Sequence, residues 1–428
     1  MVDKIVKNKL CANCGTCISA CPISAISYKQ EKNNFEIRVN KRKCSKCGLC
    51  LQVCPGLGVD FKNLNQENFS KKSQVKYDPN LGYFRNCYLG YSRNKKLRSQ
   101  CASGGVATSI LLYLLKNKIV DGALVTGIDS RKPLIPKPFI AYRQKEVIGA
   151  RGSKYAPVVL NQYLKKIINS QKEKFAVVGL PCHIEGIRKL QKTNPILRKK
   201  IKFCLGLMCG QGLNFYATSF ILKQLRLRSE EIREFQYRGE GWPGDITAIK
   251  KNGQVKKVSF FRVFKLFSIG FFNWERCFLC PDLTNELADI SLGDAWIPRL
   301  MKSKKGINVI ISRTQAGQDL VDRLKEDIFY KPVSPKAIVK SQKIKLFCKK
   351  DCHVLLAKVA RILKLGVPVY NKRSESRIRP LSMIAVLSYL NSFFSNKFPK
   401  MFLGIPLFLW NLFATINKKM LNAYKKKF

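Results

Sequence analysis

Two short stretches of the sequence carry cysteines at an identical spacing. They are LCANCGTCISACP at residues 10–22 and KCSKCGLCLQVCP at residues 43–55. Each contains C-x-x-C-x-x-C-x-x-x-C-P, in which three thiolates on one tight loop reach three irons of a cubane, while the fourth lies too far along the chain to join them. The spacing therefore predicts two 4Fe–4S clusters, each completed by the fourth cysteine of the other stretch.

This crossed pairing divides eight thiols into two sets of four. A pair of zinc knuckles is the competing interpretation, but it leaves the third evenly spaced cysteine and both Cys-Pro endings unexplained. Gly15 and Gly48 follow the second thiol of each stretch, where the backbone must approach the inorganic core closely. We define the first quartet as Cys11, Cys14, Cys17 and Cys54, and the second quartet as Cys21, Cys44, Cys47 and Cys50.

The composition agrees with metal or redox chemistry rather than with a disulfide framework. The 428 residues include 17 cysteines, an odd number, and only two histidines. The opening MVDKIVKNKL has no apolar run of the kind that secretory signals contain. We therefore predict a cytoplasmic location, where clustered thiols bind metals or do redox work.

The net charge of the chain is +52, from 79 Lys and Arg against 27 Asp and Glu, and the excess is spread over the whole sequence. Such a charge suits an acidic partner such as ferredoxin, another redox subunit or an anionic membrane surface, and it also occurs where lysines are merely solvated. No helix-turn-helix, zinc-finger or RNA-binding aromatic pattern accompanies the charge, so we predict no nucleic-acid partner.

The pattern of polar and apolar residues predicts the order of domains. Residues 1–62 form an α+β ferredoxin-like two-cluster domain, in which AISYKQEKNNFEIRV supplies two strands and a polar turn. A polar linker at 63–79 precedes alternating strands and helices over 80–345, the pattern of an α/β domain with a largely parallel sheet. Residues 346–428 form a basic, apolar, helical C-terminal tail.

Two glycine-containing loops in the α/β region are candidates for binding phosphate. SGGVAT at 103–108 places two glycines before a helix, where free backbone N–H groups and the helix dipole favour an anion. GSKYAPV at 152–158 is a second such loop and adds a lysine. Each loop alone is a weak signal, because two glycines before a helix are more often only a turn.

Four further cysteines in the α/β region form the third quartet. Cys182 follows VVGLP, Cys209 ends IKFCLGLMC, and Cys277 and Cys280 lie in RCFLC. Because open α/β sheets place their ligands at the carboxyl ends of strands, the third quartet could converge on a third 4Fe–4S cluster. Buried cysteines that act as small hydrophobes are the alternative, and the spacing leaves both interpretations open.

These motifs resemble those of the beta subunits of coenzyme F420 hydrogenase/dehydrogenase, a family of iron–sulfur flavoproteins. The matching segments are SQCASGGVATSILLYLL, GSKYAP, VVGLPCHIEGIRKL, CGQG, RGEGWPG and RCFLCPDLTNELADISLGDAW. They follow the family's order from about residue 80 to about residue 320, and with the N-terminal cysteine stretches the resemblance covers about three quarters of the chain.

The resemblance implies that the α/β domain binds FAD in its glycine loops, beside a cluster held by the third quartet. It identifies no catalytic acid or base. The residues that match the family's flavin loops are Ser103, Gly104, Gly105, Gly152, Ser153, Lys154 and Tyr155.

The function that the resemblance implies is an oxidoreductase that passes electrons between ferredoxin-type clusters and FAD. Its small-molecule electron acceptor or donor is either coenzyme F420 or another substrate. The alternative is a non-catalytic electron-transfer subunit whose partner holds the active site.

Two apolar segments mark the C-terminal tail, PLSMIAVLSYLNSFFS at 380–395 and MFLGIPLFLWNLFATI at 401–416. Each is shorter than the roughly 20 residues that a membrane-spanning helix needs, and lysines flank both. Two interpretations stay open. The tail is either a helix lying in an anionic leaflet, peripheral on the inner face of the membrane, or a helical cap on the α/β domain.

Overall fold

The structure is a computed structural model, and it describes residues 2–69, 75–301, 303–370, 380–406 and 409. The N-terminal part is built from short helices around one hairpin. Its elements are α1 (Asp3–Lys7), α2 (Thr16–Ala20), β1 (Ile26–Gln30), β2 (Phe35–Val39), α3 (Leu49–Gln52), a 3-10 helix (Pro55–Leu57) and α4 (Phe61–Phe69).

Strands β1 and β2 pair in antiparallel register, with Ile26 opposite Val39 and Gln30 opposite Phe35. This confirms the two strands and polar turn expected between the cysteine stretches. Helices α2 and α3 each begin directly after a glycine in the left-handed conformation, Gly15 at φ +82° and Gly48 at φ +79°. The two cysteine stretches therefore fold into the same local turn.

The segment predicted as a polar linker contains regular structure on both sides of residues 70–74, which lie outside the described part. Helix α4 occupies its beginning, because Phe61 and Leu64 are buried against Leu160 and Leu164 of the α/β domain. A short hairpin strand follows at Lys76. The segment is polar overall, but Phe61 and Leu64 are apolar residues at helical spacing, and their burial stabilises the helix.

The α/β region alternates strands and helices as the sequence predicts. Its elements are β3 (Lys76–Asp78), β4 (Gly82–Phe84), β5 (Asn86–Ser92), α5 (Lys95–Gln100), α6 (Val106–Lys116), β6 (Gly122–Asp129), β7 (Lys132–Ala141), α7 (Gln144–Gly149), a 3-10 helix (Leu160–Tyr163), α8 (Leu164–Ile168), β8 (Phe175–Gly179), α9 (Pro181–Thr193), α10 (Pro195–Lys200), β9 (Ile201–Leu207), α11 (Phe215–Gln224), a 3-10 helix (Ser229–Glu231), β10 (Ile232–Gln236), β11 (Asp245–Lys250), β12 (Val255–Ser259), α12 (Phe260–Ser268), α13 (Glu275–Phe278), β13 (Ile290–Asp294), α14 (Pro298–Met301), β14 (Asn308–Ser312), α15 (Gln315–Arg323) and β15 (Ile328–Pro332).

The main sheet has eight strands in the order β15-β5-β14-β13-β9-β8-β6-β7. Only β6–β8, β8–β9 and β9–β13 are parallel pairs, and the remaining neighbours are antiparallel. The expectation of a largely parallel sheet is therefore wrong, and the sheet is mixed. The physical reason at one edge is the connection between β6 and β7, which is too short to cross over the sheet and can only form a hairpin.

The central strands are buried on both faces, so the region has three layers. Helices α6 and α15 pack on one face, and α8 and α9 pack on the other. Side chains of β8 such as Phe175 and Val177 are fully buried between them. A separate three-stranded sheet, β10-β11-β12, contains the hairpin that the Asn-Gly turn predicts, with Gly253 at φ +86°.

One loop of the first quartet docks directly on the α/β domain. The buried Asn161 donates its backbone N–H to the Cys14 carbonyl (2.8 Å), and its side-chain amide donates to Thr16 Oγ1 (2.8 Å) and to the His183 carbonyl (2.8 Å). Gly186 of α9 gives Thr16 room, since a Cβ there would lie 2.1 Å from Thr16 Oγ1. The first quartet is therefore held against the first turns of α9.

The C-terminal region is helical in the described residues. Helix α16 (Pro335–Lys350) crosses residue 345, where we placed a domain boundary, and it is followed by α17 (His353–Ile362), α18 (Pro380–Lys397) and α19 (Pro399–Gly404). Most of the second apolar segment, from residue 407 onward, lies outside the described residues apart from residue 409. Among the helices of the described ranges, none is long and apolar enough to span a bilayer.

The contact between the N-terminal loop and the α/β domain can be tested at its two equivalent glycines. Gly15→Ala and Gly48→Ala both place a side chain in the left-handed region, which costs about 1 kcal/mol. At Gly15 the new Cβ would also lie 2.5 Å from Val159 Cγ1, whereas at Gly48 nothing lies within 4 Å. We expect Gly15→Ala to lose about 1–3 kcal/mol more than Gly48→Ala, because it overpacks the interface.

The measurement is anaerobic thermal unfolding of the metal-loaded protein, followed by circular dichroism. Gly48→Ala is the matched control for backbone strain. Equal losses in the two variants would contradict the docked position of the first loop.

Candidate iron–sulfur and cofactor site

The structure brings the thiols of the first quartet within electrostatic range of one another, with Cys14, Cys17 and Cys54 buried and Cys11 partly exposed. Burial raises the pKa of Cys11 to about 12 and that of Cys14 to about 11, and in each case the neighbouring Cys54 raises it further. Burial also raises the pKa of Cys17, followed by the charges of Cys14 and Cys11. Thiols that repel one another as anions need a cationic centre among them, and metal coordination deprotonates a thiol outright. The quartet therefore fits a cluster.

The second quartet differs from the first in its exposure to solvent. Cys21 is buried, Cys44 and Cys50 are partly exposed, and Cys47 is exposed. A backbone hydrogen bond from Leu49 lowers the pKa of the Cys47 thiol. The same cysteine spacing thus produces one interior site and one surface site.

Exposed basic residues flank the cysteines of the second quartet in the sequence. The carboxamide of Asn40 accepts hydrogen bonds from the backbone N–H groups of Arg42 (3.1 Å) and Lys43 (3.2 Å) and so fixes the turn that carries them. We define the basic rim as the exposed residues Lys41, Arg42, Lys43 and Lys46.

The third quartet converges at the carboxyl ends of two adjacent parallel strands. Cys182 lies in the first turn of α9, directly after β8, and Cys209 follows β9. Burial raises the pKa of Cys182, and the charges of Cys14, Cys209 and Cys277 raise it further. Burial raises the pKa of Cys209 to about 12, and Cys277 and Cys280 add to the rise. Cys209 is thus within electrostatic range of the other three thiols of the quartet, and Cys182 is within range of Cys14 of the first quartet.

Two loops hold the third quartet in place. The Cys209 N–H donates to the Leu283 carbonyl (2.9 Å), and the Gly212 N–H donates to Cys277 Sγ (3.3 Å). The segments CGQG and RCFLCPDL, which are distant in sequence, are therefore joined through their own backbone. A donor aimed at a sulfur is also a device that tunes the potential of a bound cluster.

Charged side chains that the sequence did not single out lie between the first and third quartets. Lys349 of α16 is buried and donates to the carbonyls of Cys277 and Cys280, each at 3.3 Å. Burial by itself lowers the pKa of Lys349, but the neighbouring thiols raise it above the usual value, so the ammonium stays charged. Arg276 donates to the Pro55 carbonyl (2.9 Å) and to the Tyr370 hydroxyl (2.7 Å).

Glu185 is a buried acid in this region. It is 1% exposed, and its Oε1 has no hydrogen-bond partner among the described residues. Burial raises the pKa of Glu185, Asp282 raises it further, and Arg276 and Lys349 lower it. Glu185 follows Cys182 by one helical turn, so the sequence carried a signal for its position. Nothing in the sequence near Lys349 pointed to the third quartet.

His183 adjoins a ligand of the third quartet but belongs to the packed core. Its Nδ1 accepts from the Leu180 N–H (3.1 Å), and its Nε2 lies 3.4 Å from the Val158 carbonyl. Burial lowers its pKa to about 4, so the ring is neutral at physiological pH.

No three His, Cys, Asp or Glu side chains within the described ranges are grouped as the ligands of one metal ion are. A cubane does not require that grouping, because each thiolate binds a different iron.

The two glycine loops predicted to bind FAD lie close to each other. Gly105 begins α6 at φ +80°, and a Cβ on it would lie 3.6 Å from Cys101 Sγ. The charge of Cys101 in turn acts on Lys154 of the second loop. Ser103 donates to the Ile307 carbonyl (3.1 Å), and a Cβ on Gly104 would come within 2.8 Å of Asn308 Oδ1. The first loop is therefore closely packed on β14.

Lys154 points into its own loop. Its ammonium donates to the carbonyls of Ala150, Arg151 (2.9 Å) and Gly152 (3.0 Å), and burial lowers its pKa to about 7. Gly152, at φ +83°, has open space around it, and Ser153 lies between these two residues. In this arrangement Lys154 shapes the loop and does not present a free charge at its surface.

A third loop, RGEGWPG at 238–244, adjoins both glycine loops. The Gly241 N–H donates to the Ser99 carbonyl (2.8 Å), two residues before Cys101, and Arg238 interacts with Tyr155. Asp294, at the end of β13, accepts from Arg238 (2.8 Å) and from the Trp242 indole (2.8 Å). The loop was identified in the sequence as a family motif, but its hydrogen bond to Ser99 of α5 and its interaction with Tyr155 of the second glycine loop appear only in the fold.

Aromatic rings cover the same area. The Trp242 ring lies 5.2 Å from the Trp296 ring, and the Tyr155 ring lies 4.9 Å from that of Phe264. Flat apolar surfaces beside glycine-rich backbone are suited to a planar cofactor with a phosphate tail. The residues present therefore fit FAD in chemical type.

The fold and the cysteine sets together define an iron–sulfur α/β protein with a two-cluster N-terminal domain. Comparison with protein-family models agrees. The 4Fe-4S dicluster domain matches residues 3–55, and the N-terminal and C-terminal halves of the coenzyme F420 hydrogenase/dehydrogenase beta subunit match residues 87–165 and 172–336. The chain belongs to the coenzyme F420 hydrogenase/dehydrogenase beta-subunit family.

Several relatives have assigned activities. The chain is 27% identical over 343 residues to the coenzyme F420-dependent sulfite reductase of Methanocaldococcus jannaschii, which covers 76% of this chain and 48% of that protein. The chain thus spans about half the length of that relative. It is 27% identical over 249 residues to the coenzyme F420 hydrogenase subunit beta of Methanosarcina barkeri, covering 57% of this chain and 79% of that subunit.

A solved structure shares the fold. A chain of the F420-reducing NiFe hydrogenase complex from Methanosarcina barkeri superposes with a TM-score of 0.54 at 25% identity, covering 68% of this chain and 98% of that one.

The assignment of the third quartet can be tested by counting iron. Three clusters would give about twelve irons per chain, and we expect Cys182→Ser to lose about four of them, because a cubane needs four thiolates. Cys204→Ser is the control, since Cys204 is fully buried on β9 and belongs to no quartet. Iron and sulfide are measured after anaerobic purification. About eight irons in both the wild-type protein and Cys182→Ser would contradict a third cluster.

Proposed function

We propose that the chain is an iron–sulfur flavoprotein oxidoreductase that passes electrons between ferredoxin-type 4Fe–4S clusters and FAD, to reduce or oxidise a small molecule such as coenzyme F420. The observation that carries this proposal is the spatial order of the three quartets. The second quartet is at the surface, the first is buried at the interface, and the third lies at the strand ends of the α/β domain.

Electrostatic interactions between individual cysteines connect successive quartets in that order. The charge of Cys50 acts on Cys17, and the charge of Cys14 acts on Cys182. When bound, the clusters would supply one-electron transfer, and a flavin would exchange one or two electrons. The chain itself supplies the alignment of the thiols, and it buries Cys14, Cys17 and Cys54 of the first site.

Buried cations set the electrostatics along this line. Lys349 lies on the third quartet, Arg276 lies near the first and third, and Lys189 donates to the Cys54 carbonyl (2.8 Å). Positive charge held in a low-dielectric interior favours the more negative, reduced form of a neighbouring redox centre. We infer that these residues raise the reduction potentials of the sites they face.

The flavin site in this proposal is the ring of three loops at 103–105, 152–155 and 238–244. The backbone at Gly104 and Gly105 opens α6, whose N-terminus favours an anionic group. Ser103 is the first residue of the first loop, and Tyr155 is the last residue of the second. Lys154 holds the second loop together through its hydrogen bonds to the loop's own carbonyls.

A second candidate function is that of a non-catalytic electron-transfer subunit. The relatives favour it, because the hydrogenase and dehydrogenase proteins are named as subunits and the chain of the hydrogenase complex is covered over 98% of its length.

An anaerobic assay of the purified chain tests the proposal and separates the two candidates. We expect iron and sulfide in cluster proportions together with about one flavin per chain. The chain alone should then oxidise reduced coenzyme F420 with a viologen dye as acceptor. Clusters without bound flavin and without turnover would favour the non-catalytic electron-transfer subunit. A colourless protein holding only zinc would refute both.

We also propose that the electron partner is a small acidic redox protein, such as a ferredoxin, that docks on the basic rim. The rim residues Lys43 and Lys46 directly precede Cys44 and the exposed Cys47, so a partner bound there would come close to Cys47. Opposite charge steers such encounters and speeds association by a factor of 10 or more at low salt.

Charge reversal of the rim tests this docking site. We expect Lys41→Glu/Lys43→Glu to slow reduction by a ferredoxin about ten-fold at low salt and to flatten the salt dependence. Lys95→Glu/Lys96→Glu changes the net charge equally at another exposed site and should have little effect. Stopped-flow absorbance measures the rate. An equal slowing in both variants would show that only the net charge of the chain matters.

Peripheral attachment to an anionic membrane surface on the inner face of a membrane is a further part of the proposal. The flanking lysines and apolar composition of residues 380–416 support it.

A further inference from the structure

Helix α18 has its polar and apolar faces reversed relative to an ordinary surface helix. Hydroxyl-bearing and small side chains face the protein, and large apolar side chains face outward. The buried residues are Ser382, Ala385, Ser388, Tyr389, Ser392 and Ser395. The outer face, as we call it, consists of Met383 (64% exposed), Leu387 (42%) and Phe394 (44%) of α18, continued by Phe398 (48%) and Met401 (60%).

Hydrogen bonds fix this orientation. Ser392 Oγ donates to the Asn273 carbonyl (2.8 Å), and Ser395 Oγ accepts from the Phe272 N–H (3.0 Å). The carboxamide of Asn396 also donates to the Asn273 carbonyl (2.7 Å). Rotating the helix to bury its apolar face would break these bonds and leave polar groups unpaired inside the protein.

Close backbone packing also holds α18 against the protein. A Cβ on Gly270 would lie 1.9 Å from the Ser388 carbonyl, so the helix lies directly on the loop at 269–273. Asn391 donates to the Ile269 carbonyl (2.9 Å) in the same loop. The loop at 269–273 therefore supports the inner side of α18 and leaves the outer face exposed. This loop ends four residues before Cys277.

The charged residues of the C-terminal segment that carries the outer face are all basic. From residue 376 to the end of the sequence there is no Asp or Glu, while Lys397 and Lys400 lie beside the exposed aromatic residues. The Lys397 ammonium lies 5.5 Å from the centre of the Phe398 ring. Two copies of the chain meeting through this face would bring their lysines together, which disfavours a homodimer. Anionic headgroups complement both the apolar and the basic parts.

We propose that the outer face of α18 and α19 docks on an anionic phospholipid bilayer, with the helices in the plane of the headgroups. Met383, Leu387, Phe394 and Phe398 enter the acyl boundary, and Lys397 and Lys400 contact lipid phosphates. This inference rests on the proposed peripheral location and is independent of the redox proposal. It names the surface of the chain and the class of lipid that it recognises.

Vesicle co-sedimentation of the full-length, metal-loaded chain tests the proposal. The vesicles contain either phosphatidylcholine alone or phosphatidylcholine with phosphatidylglycerol. We expect the wild type to prefer the anionic vesicles and Met383→Asn/Leu387→Asn to bind them about ten-fold more weakly. Ile196→Asn/Val255→Asn, at sites 52% and 50% exposed, is the matched control and should bind like the wild type.

A charge variant keeps the test independent of the apolar substitutions. Lys397→Gln/Lys400→Gln should weaken binding to anionic vesicles, and added salt should reduce the difference from the wild type. Iron content and the absorbance spectrum of every variant show that it is folded, and they report on the redox proposal separately.

Three outcomes would overturn the inference. Undiminished binding of Met383→Asn/Leu387→Asn would place the lipid contact elsewhere in the chain. Equal loss in the Ile196→Asn/Val255→Asn control would make the effect nonspecific. A wild-type chain that ignores vesicles but forms dimers, which Met383→Asn/Leu387→Asn abolishes, would assign the face to a second copy.

Discussion

The buried carboxamide of Asn161 and the loop that it holds are the constraint on which the rest of the arrangement depends. The Asn161 backbone binds the Cys14 carbonyl, and the side-chain amide bridges Thr16 to the first turn of α9. Because α9 also carries Cys182, one residue sets the relation between the ferredoxin-like part and the strand ends. Gly186 allows the approach by having no side chain. The alignment of cofactor sites is thus built from hydrogen bonds in the interior, where a misplaced polar group is costly.

The two cysteine stretches share one spacing but lie in different environments. The turns at Gly15 and Gly48 have nearly the same backbone angles, yet a Cβ on Gly15 would collide with Val159, whereas a Cβ on Gly48 would meet nothing within 4 Å. The difference comes from the surrounding chain and not from the repeats. In the proposed electron path, the first site is the interior relay and the second is the surface contact, whose cysteines are flanked in the sequence by the exposed basic residues at 41–43 and 46.

The local parts of this architecture could be predicted from the sequence, and the long-range parts could not. Cysteine spacing indicated the first two quartets because their geometry is set within single loops, and the hairpins at β1–β2 and β11–β12 followed from their turns. The third quartet stayed ambiguous because Cys182, Cys209 and Cys277 meet only through the sheet. Lys349 was missed for the same reason, whereas Glu185 was overlooked although it lies one helical turn after Cys182 on α9. The mixed sheet was mistaken for a mainly parallel one, since alternating elements do not reveal that β6 and β7 are joined by a tight turn. The family resemblance implied the candidate flavin loops, but only the structure shows that the Lys154 ammonium donates to carbonyls of its own loop.

The third site is assembled from both ends of the chain. Arg276 binds the carbonyl of Pro55 and the hydroxyl of Tyr370, and Lys349 closes over the carbonyls of Cys277 and Cys280. A ribosome releases the chain from its N-terminus, so the eight N-terminal cysteines emerge long before these later residues. Under the proposed cluster assignment, the ligands of the first two clusters are therefore made early in translation, whereas Lys349 and Tyr370 are made after all four cysteines of the third quartet. We therefore expect the contacts of Lys349 and Tyr370 to close around the proposed third site late in the folding of the chain.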